Sequence, residues 1–204
     1  MTDARQLHRD ALVCDLHVDS LQRVAQGESM VTNGGHLDLT RARQGGLDVQ
    51  FFAVWIDPVY LAHDGLPDRS FQRSLELLDA FDRETKAHAN LVRPVTTAAQ
   101  ARQAVDEGLL AAALGVEGGH AIENDLDKLQ EFYRRGVRYL GLTWNNSTDW
   151  ADAAKEETLH GTRHHGLSAF GVEVVQRMNQ MGMIVDLSHA AESTFWKVLE
   201  VSQV

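Results

Sequence analysis

Blocks of apolar and polar residues alternate along this chain and predict five buried strands separated by helices. Runs such as LDVQFFAVWI and LLAAALGV are strongly apolar, which is typical of strands covered on both faces. Between them, apolar residues recur at helical spacing, as they do from Ser70 to Ala89. The predicted strands are Leu12–Leu16, Leu47–Ile56, Leu109–Val116, Val137–Thr143 and Met183–Leu187.

Capping residues mark the ends of several predicted helices. Asp38 is expected to begin a helix that stops at Gly45-Gly46, and Ser168 a helix that Gly182 ends. The stretch from Asn145 to Gly166 is polar and is expected to be a loop. The other predicted helices are Thr2–Ala11, Ser20–Ala25, Ser70–Ala89, a helix from Thr96 or Thr97 to Asp106, Leu126–Arg135 and Ala190–Val201.

This alternation predicts an α/β protein with a parallel sheet, either doubly wound or closed into a (β/α) barrel. No glycine-rich phosphate fingerprint follows the first strand, so a dinucleotide-binding fold is not supported. A chain of 204 residues is long enough for a good core, and we expect one domain over residues 1–204.

Composition narrows the class of partner. The net charge of −10 argues against nucleic acid and against anionic membranes, which favour basic surfaces. The single cysteine, Cys14, stands in an apolar run, and we expect a buried small hydrophobe in a reducing compartment. The polar N-terminus lacks the apolar core of a signal peptide, and no segment reaches the ~18 apolar residues of a membrane span. A soluble, cytoplasmic protein is therefore expected.

Polar side chains stand where the predicted strands end, which is where parallel barrels assemble their chemistry. His17 and Asp19 follow the first strand, and residues i and i+2 of a strand share a face. Glu117 follows the third strand between glycines, and His189 follows the fifth. For each residue alone there is a plainer interpretation: a surface or capping role for His17 and Asp19, a solvated loop for Glu117, and a helix start for His189.

Together these four side chains predict a metal centre, because imidazole and carboxylate groups are typical ligands of divalent ions. A glutamate between two histidine-bearing strands can bridge two ions about 3.5–4 Å apart, which hold a hydroxide and polarise a carbonyl. The nucleophile would then be water. In agreement with this, the chain has no Gly-x-Ser-x-Gly motif.

At this point ordered motifs along nearly the whole chain resemble the membrane (renal) dipeptidase family, peptidase family M19. The motifs are Asp15–Asp19, Asp38-Leu39 with Gly45-Gly46 and Gln50–Phe52, Gly115–Gly119, Arg138–Asn145, and Met178-Asn179 with Gly182–His189.

The resemblance implies a metallodipeptidase with a (β/α)8 TIM barrel of the amidohydrolase-like type, of which residues 1–204 are expected to be the N-terminal part, with about five βα units. It implies two zinc ions: His17 and Asp19 hold one, Glu117 bridges and is also the predicted catalytic residue, and His189 holds the second. A metal-bound hydroxide would attack the peptide bond of a dipeptide. Family members are often homodimers, and a homodimer is accordingly expected.

Two departures from the family pattern matter. The family's second histidine on the second zinc, a later aspartate and a substrate-binding arginine find no position among these 204 residues. In addition, Trp144 stands where mammalian-type members have a substrate-binding histidine, so Trp144 and Asn145 are the predicted substrate contacts. The alternatives are a catalytically incompetent fragment that binds at most one metal, and an amidohydrolase that acts on a non-peptide amide.

Overall fold

Strands and helices alternate along the chain as the sequence predicts. The computed structural model describes residues 3–203, so Thr2, the first residue of the expected leading helix, lies outside the described residues. The strands are β1 (Cys14–Val18), β2 (Val49–Trp55), β3 (Val92–Pro94), β4 (Leu110–Glu117), β5 (Val137–Gly141) and β6 (Ile184–Asp186). The helices are α1 (Ala4–Asp10), α2 (Ser20–Ala25), α3 (Leu39–Gly45), α4 (Ser70–Ala87), α5 (Ala98–Asp106), α6 (Leu126–Arg134), α7 (Ala154–His160), α8 (Ala169–Met181) and α9 (Glu192–Val201).

The chain forms two compact units. The first comprises the residues up to Val54 together with Leu75–Leu114, and the second comprises Trp55–Ser74 and the residues from Gly115 onward. Among the helices within residues 3–203, none combines the length and the apolar content needed to cross a membrane.

In the first unit the strands are parallel and stand in the order β1, β2, β4, with β3 also paired to β4. Cys14 lies opposite Val49, and Val92 lies opposite Leu110. All eight residues of β4 are buried, because neighbouring elements cover both faces of this strand. A core of small residues packs here, formed by Val49, Val95, Ala104, Ala111 and Ala113.

β1 corrects the expectation that every strand is doubly buried. It stands first in the strand order with β2 as its neighbour, and Leu16 is 65% exposed. The prediction of a buried Cys14 is wrong, since this residue is exposed on the same edge strand. Partial burial of the thiol and, to a smaller extent, the charge of Asp15 raise the pKa of Cys14. The thiol therefore stays protonated near neutral pH, which argues against a nucleophilic role.

In the second unit the end of β4 is followed in the sheet by β5 and then β6. β5 and β6 are parallel, with Tyr139 opposite Ile184 and Gly141 opposite Asp186. α8 begins where Ser168 accepts a hydrogen bond from the Gly171 amide, and it ends at Gly182 with a φ of 70°. The caps predicted for this helix are confirmed, because a serine oxygen and a left-handed glycine satisfy its terminal backbone groups.

Two elements were missing from the sequence prediction. β3 has three residues, too short for a hydrophobic pattern to stand out. α7 lies inside the stretch that was expected to be a loop, and none of its residues is buried. A helix without an apolar face leaves no periodic signal in the sequence.

Candidate metal centre

His17 and Asp19 lie at the C-terminal end of β1, in the first unit. The β1–β2 register shifts between Asp15 and Val18, and such irregularities re-aim side chains next to active sites. His17 Nε2 lies 3.6 Å from Asp19 Oδ1, with 38% and 55% of the two side chains exposed. Asp19 also precedes α2 as its N-cap residue, but its side chain makes no capping hydrogen bond to that helix. The carboxylate is thus directed toward the histidine, not toward the helix terminus.

A cavity of about 510 Å³ lies against this pair and is lined in part by Asp15, Arg23 and His36. This volume is in the range that small-molecule ligands occupy. Arg23 Nη1 lies 2.8 Å from Glu28 Oε1 across the neighbouring loop. The first pair of candidate ligands therefore stands beside an open space with polar walls.

Glu117 and His189 form a second pair, within the second unit. Glu117 is the last residue of β4 and is 8% exposed, and His189 follows β6. His189 Nε2 lies 2.9 Å from Glu117 Oε1. The two side chains stand at the ends of different strands, as the sequence predicted, and their ring nitrogen and carboxylate oxygen are in direct contact.

The glycines after Glu117 are required by the backbone and by packing. Gly118 has a φ of 101°, a left-handed conformation that residues with a Cβ atom rarely adopt. A Cβ atom at Gly119 would lie 2.4 Å from the Leu142 carbonyl oxygen and 2.5 Å from Trp150 Cζ2. These two positions let the chain turn sharply after β4 and keep Glu117 at the turn.

The aromatic ring of Trp144 lies beside His189, and Trp55 packs against Trp144. The ring centroids of Trp144 and His189 are 6.4 Å apart, and Trp55 meets Trp144 edge-on at 5.2 Å. Asn145, the other predicted substrate contact, follows Trp144 and is half-buried. Trp144 thus lies beside a candidate metal ligand.

Three further histidines take structural roles. His120 is 5% exposed, its Nε2 lies 3.0 Å from the Ile56 carbonyl oxygen, and burial lowers the pKa of its ring. His164 Nε2 lies 3.3 Å from the Thr148 carbonyl oxygen, and His165 Nδ1 lies 3.0 Å from Thr162 Oγ1. All three rings are engaged by neighbouring protein oxygens.

The first pair has a spacing close to that of two ligands of one divalent ion, whereas the second pair is at hydrogen-bonding distance. Zinc–nitrogen and zinc–oxygen bonds of about 2.0–2.2 Å place two ligands of a tetrahedral ion about 3.4 Å apart. The nitrogen–oxygen distances of 3.6 Å in the first pair and 2.9 Å in the second lie on either side of that value. Both pairs offer imidazole nitrogen and carboxylate oxygen, a ligand set that suits zinc and other divalent transition metals.

The strands are parallel and carry candidate metal ligands at their C-terminal ends, which is where (β/α) barrels assemble their sites. The sequence matches the model of the membrane dipeptidase family, peptidase family M19, over residues 1–204. The chain belongs to this family.

Similarity to individual dipeptidases supports the same family assignment. The chain is 37% identical over 195 residues to the uncharacterized dipeptidase C965.12 of Schizosaccharomyces pombe, covering 92% of this chain and 47% of that protein. It is 37% identical over 170 residues to dipeptidase 3 of Mus musculus, covering 83% of this chain and 33% of that one.

A solved structure supports the fold. The metallopeptidase of Rhodobacter sphaeroides, liganded with a phosphinate mimic of the dipeptide L-Ala-D-Ala, superposes with a TM-score of 0.79 at 26% identity. The match covers 94% of this chain and 62% of that one. The predicted fold class, an incomplete (β/α) barrel, is confirmed, and the chain spans less than two thirds of each relative described.

Proposed function

We propose that this chain carries metal-binding residues of a zinc-dependent dipeptidase. The observation that carries the proposal is the contact between His189 Nε2 and Glu117 Oε1 at 2.9 Å, between residues that end two different strands. A buried carboxylate in contact with an imidazole provides two groups that can both bind one divalent ion. Membership of the M19 family supports dipeptide hydrolysis as the reaction.

We propose the following division of ligands. As the family resemblance implies, His17 and Asp19 would hold one zinc ion, His189 would hold the second, and Glu117 would be a ligand of both; within the second unit, Glu117 and His189 are already in contact. Glu117 suits the shared position because its carboxylate has two oxygens and leaves β4 at a turn that glycines hold. When bound, the two ions would supply an activated water and an electrophile for the peptide carbonyl.

Residues of the protein would bind the metal ions and orient the substrate. Glu117 lies in a largely buried position, where the interaction of its side chain with a cation is strong because little water screens it. The Trp144 ring lies beside His189, with the two ring centroids 6.4 Å apart. With Asn145 beside it, Trp144 is the proposed contact surface for the substrate.

The proposed substrates are dipeptides, among them dipeptides whose C-terminal residue has the D configuration. The R. sphaeroides relative is liganded with a mimic of L-Ala-D-Ala. The cytoplasmic location and the homodimer expected from the sequence stay predictions.

Metal content and hydrolysis, measured on the same sample, test the proposal. By plasma emission spectroscopy we expect bound zinc, with the second ion held more weakly because one of its family ligands has no position among these 204 residues, and hydrolysis of L-Ala-D-Ala that a chelator abolishes and zinc restores. His189→Gln should lose one zinc ion, whereas His160→Gln, at the exposed end of α7, should keep both. Hydrolysis of N-acetyl amides in place of dipeptides would favour the amidohydrolase alternative.

One outcome contradicts the proposal directly. A chain that holds one zinc ion or none and hydrolyses no dipeptide would be the incompetent fragment considered above. Equal zinc content in His189→Gln and His160→Gln would contradict the assignment of His189.

A further inference from the structure

Asp152 is a buried carboxylate between β5 and α8 that has no part in the proposed chemistry. Only 1% of its surface is exposed. Its Oδ1 accepts hydrogen bonds from the amides of Arg163 (3.1 Å) and His164 (3.2 Å), and its Oδ2 accepts from those of His164 (2.9 Å) and Gly166 (3.1 Å). The carboxylate thus holds the 163–166 loop through its backbone.

The main chain of Asp152 makes a second set of bonds. Its amide donates to the Gly166 carbonyl at 3.1 Å. Its carbonyl accepts from the Ala191 amide at 3.0 Å and from Thr194 Oγ1 at 2.7 Å. Thr194 is fully buried. Asp152 therefore connects the 163–166 loop with the chain segment that enters α9.

This second segment contains His189. The Ala154 amide donates to the His189 carbonyl at 3.0 Å, and Ala153 and Ala190 form an antiparallel bridge. Residues 152–154 thus pair with residues 189–191. The backbone that carries the His189 ring is therefore hydrogen-bonded directly to the segment that contains Asp152.

We propose that Asp152 is a positioning residue for His189, a role that rests on the proposed function. The carboxylate gathers amides of the 163–166 loop behind residues 152–154, and this fixes the segment against which His189 is hydrogen-bonded. His189 then presents Nε2 to Glu117 before any ligand binds. Groups behind a metal ligand orient it, and their mutation costs about 10- to 100-fold in metal affinity or activity.

The carboxylate form of the side chain is essential to this role. A carboxylate accepts on both oxygens, whereas an asparagine presents one oxygen and an NH₂ group, which would face backbone N–H donors. Asp152→Asn keeps the size of the side chain but loses bonds on one side. A buried donor left without a partner is costly, so the loop should shift and His189 with it.

The test uses the metal-free chain, labelled with ¹⁵N-histidine. Ring signals of His189 are assigned from their loss in His189→Gln. We expect Asp152→Asn to move these signals and to leave those of His17 in place. Asp149→Asn is the matched control, because Asp149 is exposed in the same segment and accepts from Asn124 Nδ2 at 2.8 Å. It should move neither set.

A milder pair of variants keeps the test decisive if Asp152→Asn does not fold. Thr194→Val removes the hydroxyl, which lies 2.7 Å from the Asp152 carbonyl oxygen and 3.0 Å from the Gly166 carbonyl oxygen, and Thr194→Ser keeps it. We expect the His189 signals to move in the first variant and to return in the second. Zinc titration of the same samples should show affinity falling about 10- to 100-fold for Asp152→Asn and unchanged for Asp149→Asn.

The outcomes separate the two proposals. His189 signals that stay in place in folded Asp152→Asn, or in Thr194→Val if the former does not fold, would overturn the positioning role. A wild-type chain that binds no zinc and hydrolyses no dipeptide would overturn the proposed function, while the ring signals would still decide whether Asp152 orients His189.

Discussion

The two pairs of candidate ligands have the same chemical groups, but the surrounding protein buries and holds them to different extents. His17 and Asp19 end an edge strand, and 38% and 55% of their side chains are exposed. Glu117 and His189 are less exposed, at 11% and 34% of their side chains. In each pair an imidazole nitrogen faces a carboxylate oxygen. The difference lies in the elements that hold them.

Burial and hydrogen bonding explain this difference. β4 is buried along its whole length and ends at a turn that requires Gly118, so Glu117 has little freedom. His189 is hydrogen-bonded through its carbonyl to Ala154. His17, by contrast, ends a strand of mostly exposed residues. The second pair is therefore preorganised within its own unit, whereas the first pair stands at the end of a strand that has one neighbour, β2, in the strand order.

Glu117→Gln should give the largest effect, because it removes the charge proposed to be shared by two ions. We expect kcat/KM for L-Ala-D-Ala to fall by about 1000-fold or more, since metal-assisted charge stabilisation is worth several kcal/mol. Glu107→Gln is the control, because that carboxylate pairs with Arg93 at the surface. Activity within tenfold of wild type in Glu117→Gln would show that the second pair is not the catalytic one.

Replacing a leucine by alanine should change the free energy of unfolding by different amounts on the buried strand β5 and on the edge strand β1. Leu140 on β5 is fully buried, so Leu140→Ala should lower the free energy of unfolding by about 2–5 kcal/mol. Leu16 on β1 is 65% exposed, so Leu16→Ala should change it by no more than about 0.5 kcal/mol. Urea denaturation measures both. A large cost for Leu16→Ala would mean that the β1 edge is covered in solution.

The smallest expected effect concerns His120, in the turn after Glu117. Burial lowers the pKa of this ring, against the opposing influence of the Ile56 carbonyl. The unfolded chain then binds a proton at a higher pH, with a pKa of about 6.5, than the folded chain does. The associated stability is present above that pH and is lost as the pH falls through the lower pKa of the folded state.

His120→Gln should therefore flatten the fall in stability between about pH 7 and pH 5. His160→Gln, on an exposed helix end, should leave the slope as it is in the wild type. Thermal denaturation at a series of pH values measures the slopes. Equal slopes in wild type and His120→Gln would show that the buried ring does not contribute.

The sequence alone predicted alternating strands and helices around a parallel sheet, because continuous apolar runs and capping residues are local signals, and the family resemblance then implied an incomplete barrel. It also singled out His17, Asp19, Glu117 and His189, since each stands just after a strand. Their assignment as metal ligands stays a prediction. The brief β3 and the polar α7 were missed, because neither produces an apolar pattern.

Only the tertiary structure decided which residues are covered and which are in contact. The apolar run around Cys14 and Leu16 predicted that both residues are buried. Both are exposed, because their strand has a neighbour on one side only in the strand order. Asp152 looked like one more polar residue of a loop, and nothing in its local sequence shows the three amides that converge on it. Burial and hydrogen bonding between distant segments depend on the packed chain, and a local pattern does not encode them.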